Sequence, residues 1–495
     1  MHRTAKKQNR ILAVCLAGGF TTMLDNSVLN IAVPALRSSL EASATQIQWI
    51  VAGYSLAFGL ALIPGGRLGD LRGRKQFFVA GIALFVVAGL FAAAATDPWL
   101  LVVLRLLQGA GAGLVNSQMI GTLQDVFTGP ARTRALGLYQ VTCAVAIALG
   151  PPLGGALIAL AGPEWGWRLA FLISAPSGLA TLVLAVRHLP RPAPRTTPAP
   201  GTAPGAARGL ASLDPLGLLL TAAITVAVML PFVTSAPLPA QLGLGAAAVA
   251  MAVLLARWQR HCVATGRQPL IHPALPRSAP YTLGTLTAMA QFGASLAGGL
   301  VLVMFLQDGL GLSPLAAAAV TLPSAVAMAV VSSFAWRAVQ RFGAHLVPLG
   351  LTLALAAVLL SGLAALWTTG PWLPVLLGLG QLCTGAAAGL VVSPNQAQVL
   401  RYAPAEAAGV AGGILQMSQR IAAAVGISAI SGIYLNSSAA TPGTAYFQAA
   451  LACTAVFALA LLLSVLANRS TPDQPAPAPA PAPRPEVREG AVQGD

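Results

Sequence analysis

Apolar residues along this chain come in long runs set apart by short polar punctuation. A helix needs about 20 residues to cross the hydrocarbon of a bilayer, and runs of that order recur from end to end. Fourteen are read, at roughly 11–33, 48–66, 77–95, 99–122, 135–161, 168–187, 212–234, 240–256, 281–306, 314–335, 346–367, 372–395, 408–434 and 447–466. The eighth is the shortest. The pattern predicts an all-α integral membrane protein with fourteen transmembrane helices. Two segments break it: 189–209, rich in Pro, Ala and Arg, and 470–495, with its alternating Pro-Ala run. Both are expected to be disordered tethers.

Composition agrees. Hydrophobic residues make up 56% of the 495 residues and charged residues only 8%, against about 25% charged in a soluble protein. The net charge of +15 would suit a nucleic-acid partner if it were clustered. Instead, with the N-terminus inside, twenty-four of the 28 Lys and Arg fall in inner loops and tails. Arg37 and Arg168 fall outside, and Arg105 and Arg420 lie within spans. This is the positive-inside pattern, which places both termini in the cytoplasm and argues against nucleic acid as a partner. The run after Arg3, Lys6, Lys7 and Arg10 is too long for a signal peptide and is kept as the first span. The five cysteines have no extracellular partner and no metal spacing, so no metal site is expected. All five histidines fall at the cytoplasmic side.

The chain also repeats itself. Gly113-Leu-Val-Asn-Ser117 matches Gly389-Leu-Val-Val-Ser393, and Gly137-Leu-Tyr-Gln140 matches Gly413-Ile-Leu-Gln416, both at an offset of 276. A register shared by two spans implies two parallel six-span halves, a recurring transporter plan. The expected organisation is a six-helix bundle over 1–187 and a Pro-rich cytoplasmic linker over 188–211. Two additional helices with a cytoplasmic loop follow over 212–279, then a second six-helix bundle over 280–468 and a cytoplasmic tail over 469–495.

Charge inside the apolar runs is where chemistry is expected. Asp25 is the only acid well inside one, and a carboxylate there costs on the order of 3 kcal/mol on insertion scales. At 1.5 Å per residue it lies roughly 22 Å from the inner face of a core about 30 Å thick. Arg105, descending from Pro98, lies roughly 10 Å below the outer face. Both therefore fall in the outer half, able to share a site directly, through water or through Gln108; the plain alternative is a static pair that aids packing. Arg420 is a second buried cation, with no acid near it in sequence; its repeat counterpart is Ala144.

Three further stretches stand out. The loop Gly66-Arg67-Leu68-Gly69-Asp70-Leu71-Arg72-Gly73-Arg74-Lys75 sets one acid among four cations, a composition suited to a latch made in one conformation and broken in another. Gly66, Asp70, Arg72, Gly73 and Arg74 are its candidate working parts. The glycines of Arg105-Leu-Leu-Gln108-Gly109-Ala-Gly111-Ala-Gly113 sit in a helix and read as a close-packing face. In the fifth span, Gly150, Pro151, Gly154 and Gly155 combine close packing with a bend. Candidate pocket residues are Asn30, Tyr54, Gln108, Asn116, Tyr139, Gln140, Gln291, Asn395, Gln416 and Arg420, with interhelical hydrogen bonding the competing role for each.

Together these motifs resemble the major facilitator superfamily, specifically its fourteen-span drug:proton antiporters, over essentially the whole chain. LDNSVLNIAVPAL resembles that family's first-span signature, GRLGDLRGRK its loop motif, RLLQGAGAGL its fourth-span arginine motif and ALGPPLGG its antiporter motif. WGWRLAFLISAP resembles the opening of its sixth span. Ser117, Ala146 and Ser174 depart from the usual proline, glycine and asparagine. The resemblance implies a major facilitator fold and proton-driven export of amphipathic drugs or antibiotics, with Asp25 and Arg105 as coupling residues. It implies no cofactor beyond the proton gradient, a small-molecule substrate, a monomer in the lipid bilayer and a place in the cell membrane. A carboxylate that is neutral when protonated and charged when not suits that role independently. The alternatives are a differently coupled or uncoupled transporter, and a membrane sensor that has lost transport. No nucleophile–base set supports an enzyme.

Overall fold

The computed structural model describes residues 2–127, 129–190, 214–233, 237–267, 269–404, 408–439 and 441–470. Most of the expected linker and tail therefore lies outside the described residues. Fourteen α-helices follow one another: α1 His2–Ser39, α2 Ala44–Arg72, α3 Arg74–Ala94, α4 Pro98–Val126, α5 Gly129–Leu172, α6 Ser174–His188, α7 Pro215–Val233, α8 Leu238–Ala264, α9 Ala279–Met304, α10 Pro314–Phe342, α11 Leu346–Trp367, α12 Trp372–Arg401, α13 Ala408–Leu435 and α14 Pro442–Arg469. Among the described residues, twelve helical segments are long and apolar enough to cross a membrane.

The difference from fourteen has two local causes. The segment Gly137–His188 is 52 residues long and holds both the fifth and sixth expected spans. Its break is Gly162, at φ 77°, a backbone conformation that glycine takes without steric cost. Pro151 and Pro152 keep helical backbone angles, and the chain breaks after them, at Gly162. The other cause is α13, which interrupts its apolar run with Gln416, Ser418, Gln419 and Arg420. The eighth segment is longer than its sequence suggested: α8 has 27 residues, because the helix continues through Arg257 and Arg260.

Starts follow local chemistry. The Ser43 hydroxyl accepts from the Gln46 N–H while the Gln46 carboxamide accepts from the Ser43 N–H at 2.8 Å, a capping box for α2. Asp97 caps α4 and Ser313 caps α10, each followed by proline, whose missing N–H costs nothing in the first turn. Gly73, at φ 101°, turns the chain between α2 and α3.

In the first group, α1 packs on α5 and α6, α2 on α4, and α3 on α4 and α6. In the second, α9 packs on α13 and α14, α10 on α12, and α11 on α12 and α14. The groups meet along α2–α13, α5–α10 and α1–α9. We call the end where α1 starts and α14 finishes the near end, and the opposite one the far end. At the far end Gln307 Nε2 donates to the Ile31 carbonyl at 2.9 Å, and Gly155 lies against the Pro314 backbone.

Helix α8 leans on α7, and only 6% of its apolar window is buried within the chain. A second buried acid secures this hairpin. Asp214, 3% exposed, stands at the α7 N-terminus with φ 50°. Its carboxylate accepts from Trp258 Nε1 at 2.7 Å, Gln259 Nε2 at 2.8 Å, the Leu270 N–H at 2.7 Å and the Gly217 N–H at 2.9 Å. Burial alone pushes this carboxyl up, but those donors outweigh it and hold it below its ordinary value. Arg67, at the end of α2, donates to the next carbonyl along, Pro269. The hairpin is thereby tied to the Gly66–Lys75 segment, which is not the loop expected but the last turns of α2, the break at Gly73 and the start of α3.

Candidate functional site

Asp25 and Arg105 lie deep in the first group of helices, 2% and 0% exposed. Helix α1 brings the acid and α4 the cation. Close glycines make this approach geometrically open: Gly109 and Gly113 lie against the α2 backbone at Tyr54 and Phe58. Arg105 Nη1 sits 3.0 Å from Asp25 Oδ2. Gln108, one turn along α4, donates from Nε2 to Asp25 Oδ1 at 2.9 Å and accepts from Arg105 Nη1 at 2.7 Å. The direct contact and the Gln108 bridge expected from sequence as alternatives are both made.

The Ser174 hydroxyl supplies a third donor to Asp25, at 2.9 Å on Oδ1. Sequence reasoning treated Ser174 only as a departure from the family's asparagine; that position, in a motif opening the sixth span, was the available signal. The guanidinium is held on other sides as well. Its Nε donates to the Ile50 carbonyl at 3.3 Å, and its Cζ lies 4.2 Å from the centroid of the Tyr54 ring. A charged pair in the apolar interior is stable only when its remaining donors and acceptors are met, and this one is nearly so. Arg105 Nη2 is its one buried nitrogen without a partner. The pair is thus neutral as a unit and shielded, and one proton on Asp25 would leave Arg105 unbalanced.

The loop motif assembles at the near end. Arg74 pairs with Asp70 at 2.8 Å and with Asp125 of α4 at 2.7 Å. Asp125 is about half exposed and joins this cluster, a partner the sequence did not reveal. Lys75 donates to the Val186 and Leu189 carbonyls at 2.6 and 3.0 Å, closing the end of α6. Arg72 makes no ion pair among the described residues, and the Gly66 α-carbon faces open space.

In the antiporter motif, Gly150 and Gly154 meet Ser27 and Ile31 of α1 with no room for a Cβ, and Gly155 turns to α10. Ser27 donates to the Ile147 carbonyl at 2.8 Å, adding a polar clamp to this contact.

The expected pocket residues divide. Asn116 Nδ2 donates to the Tyr139 hydroxyl at 2.9 Å, leaving Asn116 Oδ1 and the buried Tyr54 hydroxyl without partners. Arg420 reaches from α13 to lie 4.1 Å from the Phe58 ring and 5.3 Å from the Phe292 ring. Phe58 stands one turn from Tyr54, ring centroids 6.1 Å apart, so α2 separates the two arginines by two aromatic rings. Neither Phe58 nor Phe292 was picked out from the sequence, where a phenylalanine in an apolar run carries no signal. Asn395 is spent within the second group, donating to the Gly284 carbonyl at 3.1 Å, and Gln291 donates to Ser295 Oγ at 3.1 Å. Asn30 and Gln416 are half-buried. The Gln140 side chain lies outside the described residues.

Comparison with known proteins gives a consistent result. The model of the Major Facilitator Superfamily matches residues 15–260 and 283–493. The chain is 30% identical over 436 residues to the probable actinorhodin transporter of Streptomyces coelicolor, covering 86% of this chain and 72% of that protein. It is 31% identical over 442 residues to the tetracenomycin C resistance and export protein of Streptomyces glaucescens, covering 86% and 76%. It is 30% identical over 464 residues to the methylenomycin A resistance protein of Bacillus subtilis, covering 92% and 93%. In fold it is similar to a solved D-xylose-proton symporter, with a TM-score of 0.66 at 16% identity, covering 94% of this chain and 98% of that one.

Proposed function

The chain belongs to the Major Facilitator Superfamily, and we propose that it is a proton-coupled antiporter exporting small amphipathic drugs or antibiotics across the cell membrane by alternating access. The relatives' names support export of antibiotics. The observation that carries proton coupling is the Asp25 carboxylate, held inside the bundle by Arg105, Gln108 and Ser174. Protonation cancels its charge, removes its ion pair with Arg105 and turns an acceptor toward two donors into a donor itself. A proton bound in one conformation and released in the other then biases the exchange between them. In this reading fourteen spans form two six-helix bundles around a site shared with α2 and α13, with α7 and α8 between them. Both termini lie in the cytoplasm, and the near end faces inward. The Asp70–Arg74–Asp125 cluster acts as the latch, intact here while the far-end contacts are closed.

No cofactor is required, and a monomer suffices because both bundles reside in one chain. Asp25→Asn keeps the shape and the acceptor oxygen but cannot exchange a proton. It is expected to abolish proton-driven efflux in inverted vesicles, a fall of about 100-fold or more on a general acid–base scale, while the purified protein keeps its melting profile. Normal proton-driven transport by Asp25→Asn would sink the assignment.

A further inference from the structure

The apolar interior holds three charged side chains that the charge pattern singled out: Asp25, Arg105 and Arg420. Asp25 and Arg105 neutralise each other at 3.0 Å. Arg420 has no such counterpart. Among the described residues no carboxylate pairs with it and no acceptor takes its N–H groups, and its guanidinium lies over the rings of Phe58 and Phe292 while its Cβ packs against Gly59. A guanidinium presents five donors in a planar fork, and aromatic faces satisfy its charge but none of those donors. The side chain is also only half-buried, whereas Arg105 is fully enclosed. Two buried polar atoms on the facing helices, the Tyr54 hydroxyl and Asn116 Oδ1, lack partners as well.

We propose that Arg420 is the anion-recognition residue of the substrate site, and that the transported compounds are apolar molecules bearing one carboxylate or phenolate. The inference rests on the reading of this chain as an exporter. Its physical basis is charge balance. The site carries one uncompensated positive charge, a monoanion neutralises it, and a cationic drug is repelled by it. The guanidinium fork matches the two oxygens of a carboxylate in a bidentate geometry. Phe292, half-buried beside the guanidinium, gives the site an apolar edge, whereas Phe58 and Tyr54 are enclosed beneath Arg420 and Arg105. The asymmetry of the repeat agrees with this role: position 144, its counterpart in α5, is alanine, so the cation is not part of the duplicated scaffold.

The alternative is a strut, in which Arg420 merely packs α13 against α2 and α9. The two roles separate in equilibrium binding to the purified full-length protein, using radiolabelled 2-naphthoate and its neutral isostere 2-naphthamide. The wild type is expected to prefer naphthoate by about tenfold or more, Arg420→Gln to lose that preference while still binding naphthamide, and Arg420→Lys to keep part of it. Asp25→Asn is expected to retain the preference, which separates this inference from proton coupling. Absence of a naphthoate preference in the wild type, or its survival in Arg420→Gln, overturns the proposal. Loss of both probes in Arg420→Gln and Arg420→Lys alike assigns Arg420 to packing and overturns it equally.

Discussion

Ser174 occupies a position where a small change in chemistry has a readable effect. Its hydroxyl donates to Asp25 Oδ1, the oxygen that also receives Gln108, while its own backbone is anchored in the turn that starts α6. A hydrogen bond to a charged group is worth about 1.5–3 kcal/mol, so Ser174→Ala weakens the ionised state of the centre by about that amount. Proton-driven efflux in vesicles is expected to fall several-fold in Ser174→Ala and to remain near wild type in Ser174→Asn, whose carboxamide supplies a replacement donor. Equal loss in both would mean that size, not donation, matters there. The sequence made the acid and the arginine legible because a charge in an apolar run is conspicuous. Ser174, Phe58 and Phe292 were not, because serine and phenylalanine are ordinary inside membranes and only contact gives them meaning. Polar residues inside apolar runs meet the same limit: Asn395 bonds to the Gly284 carbonyl of a neighbouring helix, which no one-dimensional pattern distinguishes from a residue facing a substrate.

At the scale of helices, Asp214 makes α7 and α8 one unit. It gathers donors from α7, α8 and the segment that follows, and Arg67 extends the connection to α2. Removing the carboxylate in Asp214→Ala leaves several buried donors unmet and is expected to cost about 3 kcal/mol, read as a lower melting temperature of the detergent-purified protein. Because folding holds this carboxyl below its ordinary value, its stabilisation is complete above the unfolded pKa of about 3.9 and fades as pH falls through the folded value. The melting difference between wild type and Asp214→Ala should therefore be constant near neutrality and shrink only in strong acid; a difference that shrank on raising the pH would contradict the assignment. Asp97 and Ser313 mark their helix starts with a local signal, a capping oxygen just before proline. The continuity of the fifth and sixth segments has no such signal, since their boundary depends on one positive φ at Gly162. Nor has the full length of α8, whose charged last turns look like loop in a hydropathy window.

For the whole molecule, the repeat at offset 276 implies two related halves, and the two groups of helices meet along α2–α13 and α5–α10. What a repeat cannot carry is asymmetry, and asymmetry here is electrical: an acid in the first group, an unpaired cation in the second. An exchange of one inward proton for one outward monoanion moves two charge equivalents in the direction favoured by an inside-negative membrane potential. Each charge is worth about 2.3 kcal/mol per 100 mV, so the potential alone would supply about 4.6 kcal/mol to export of an anion. A neutral compound exchanged for one proton would draw half of that. In proteoliposomes with a potassium diffusion potential set by valinomycin, naphthoate accumulation should therefore rise about twice as steeply with potential, on a logarithmic scale, as naphthamide accumulation. Arg420→Gln should lower naphthoate transport without altering the naphthamide slope, because the slope reports charge moved per cycle and not affinity. Equal slopes for the two probes in the wild type would mean that the anion travels with a compensating proton, and would rule out a one-for-one exchange.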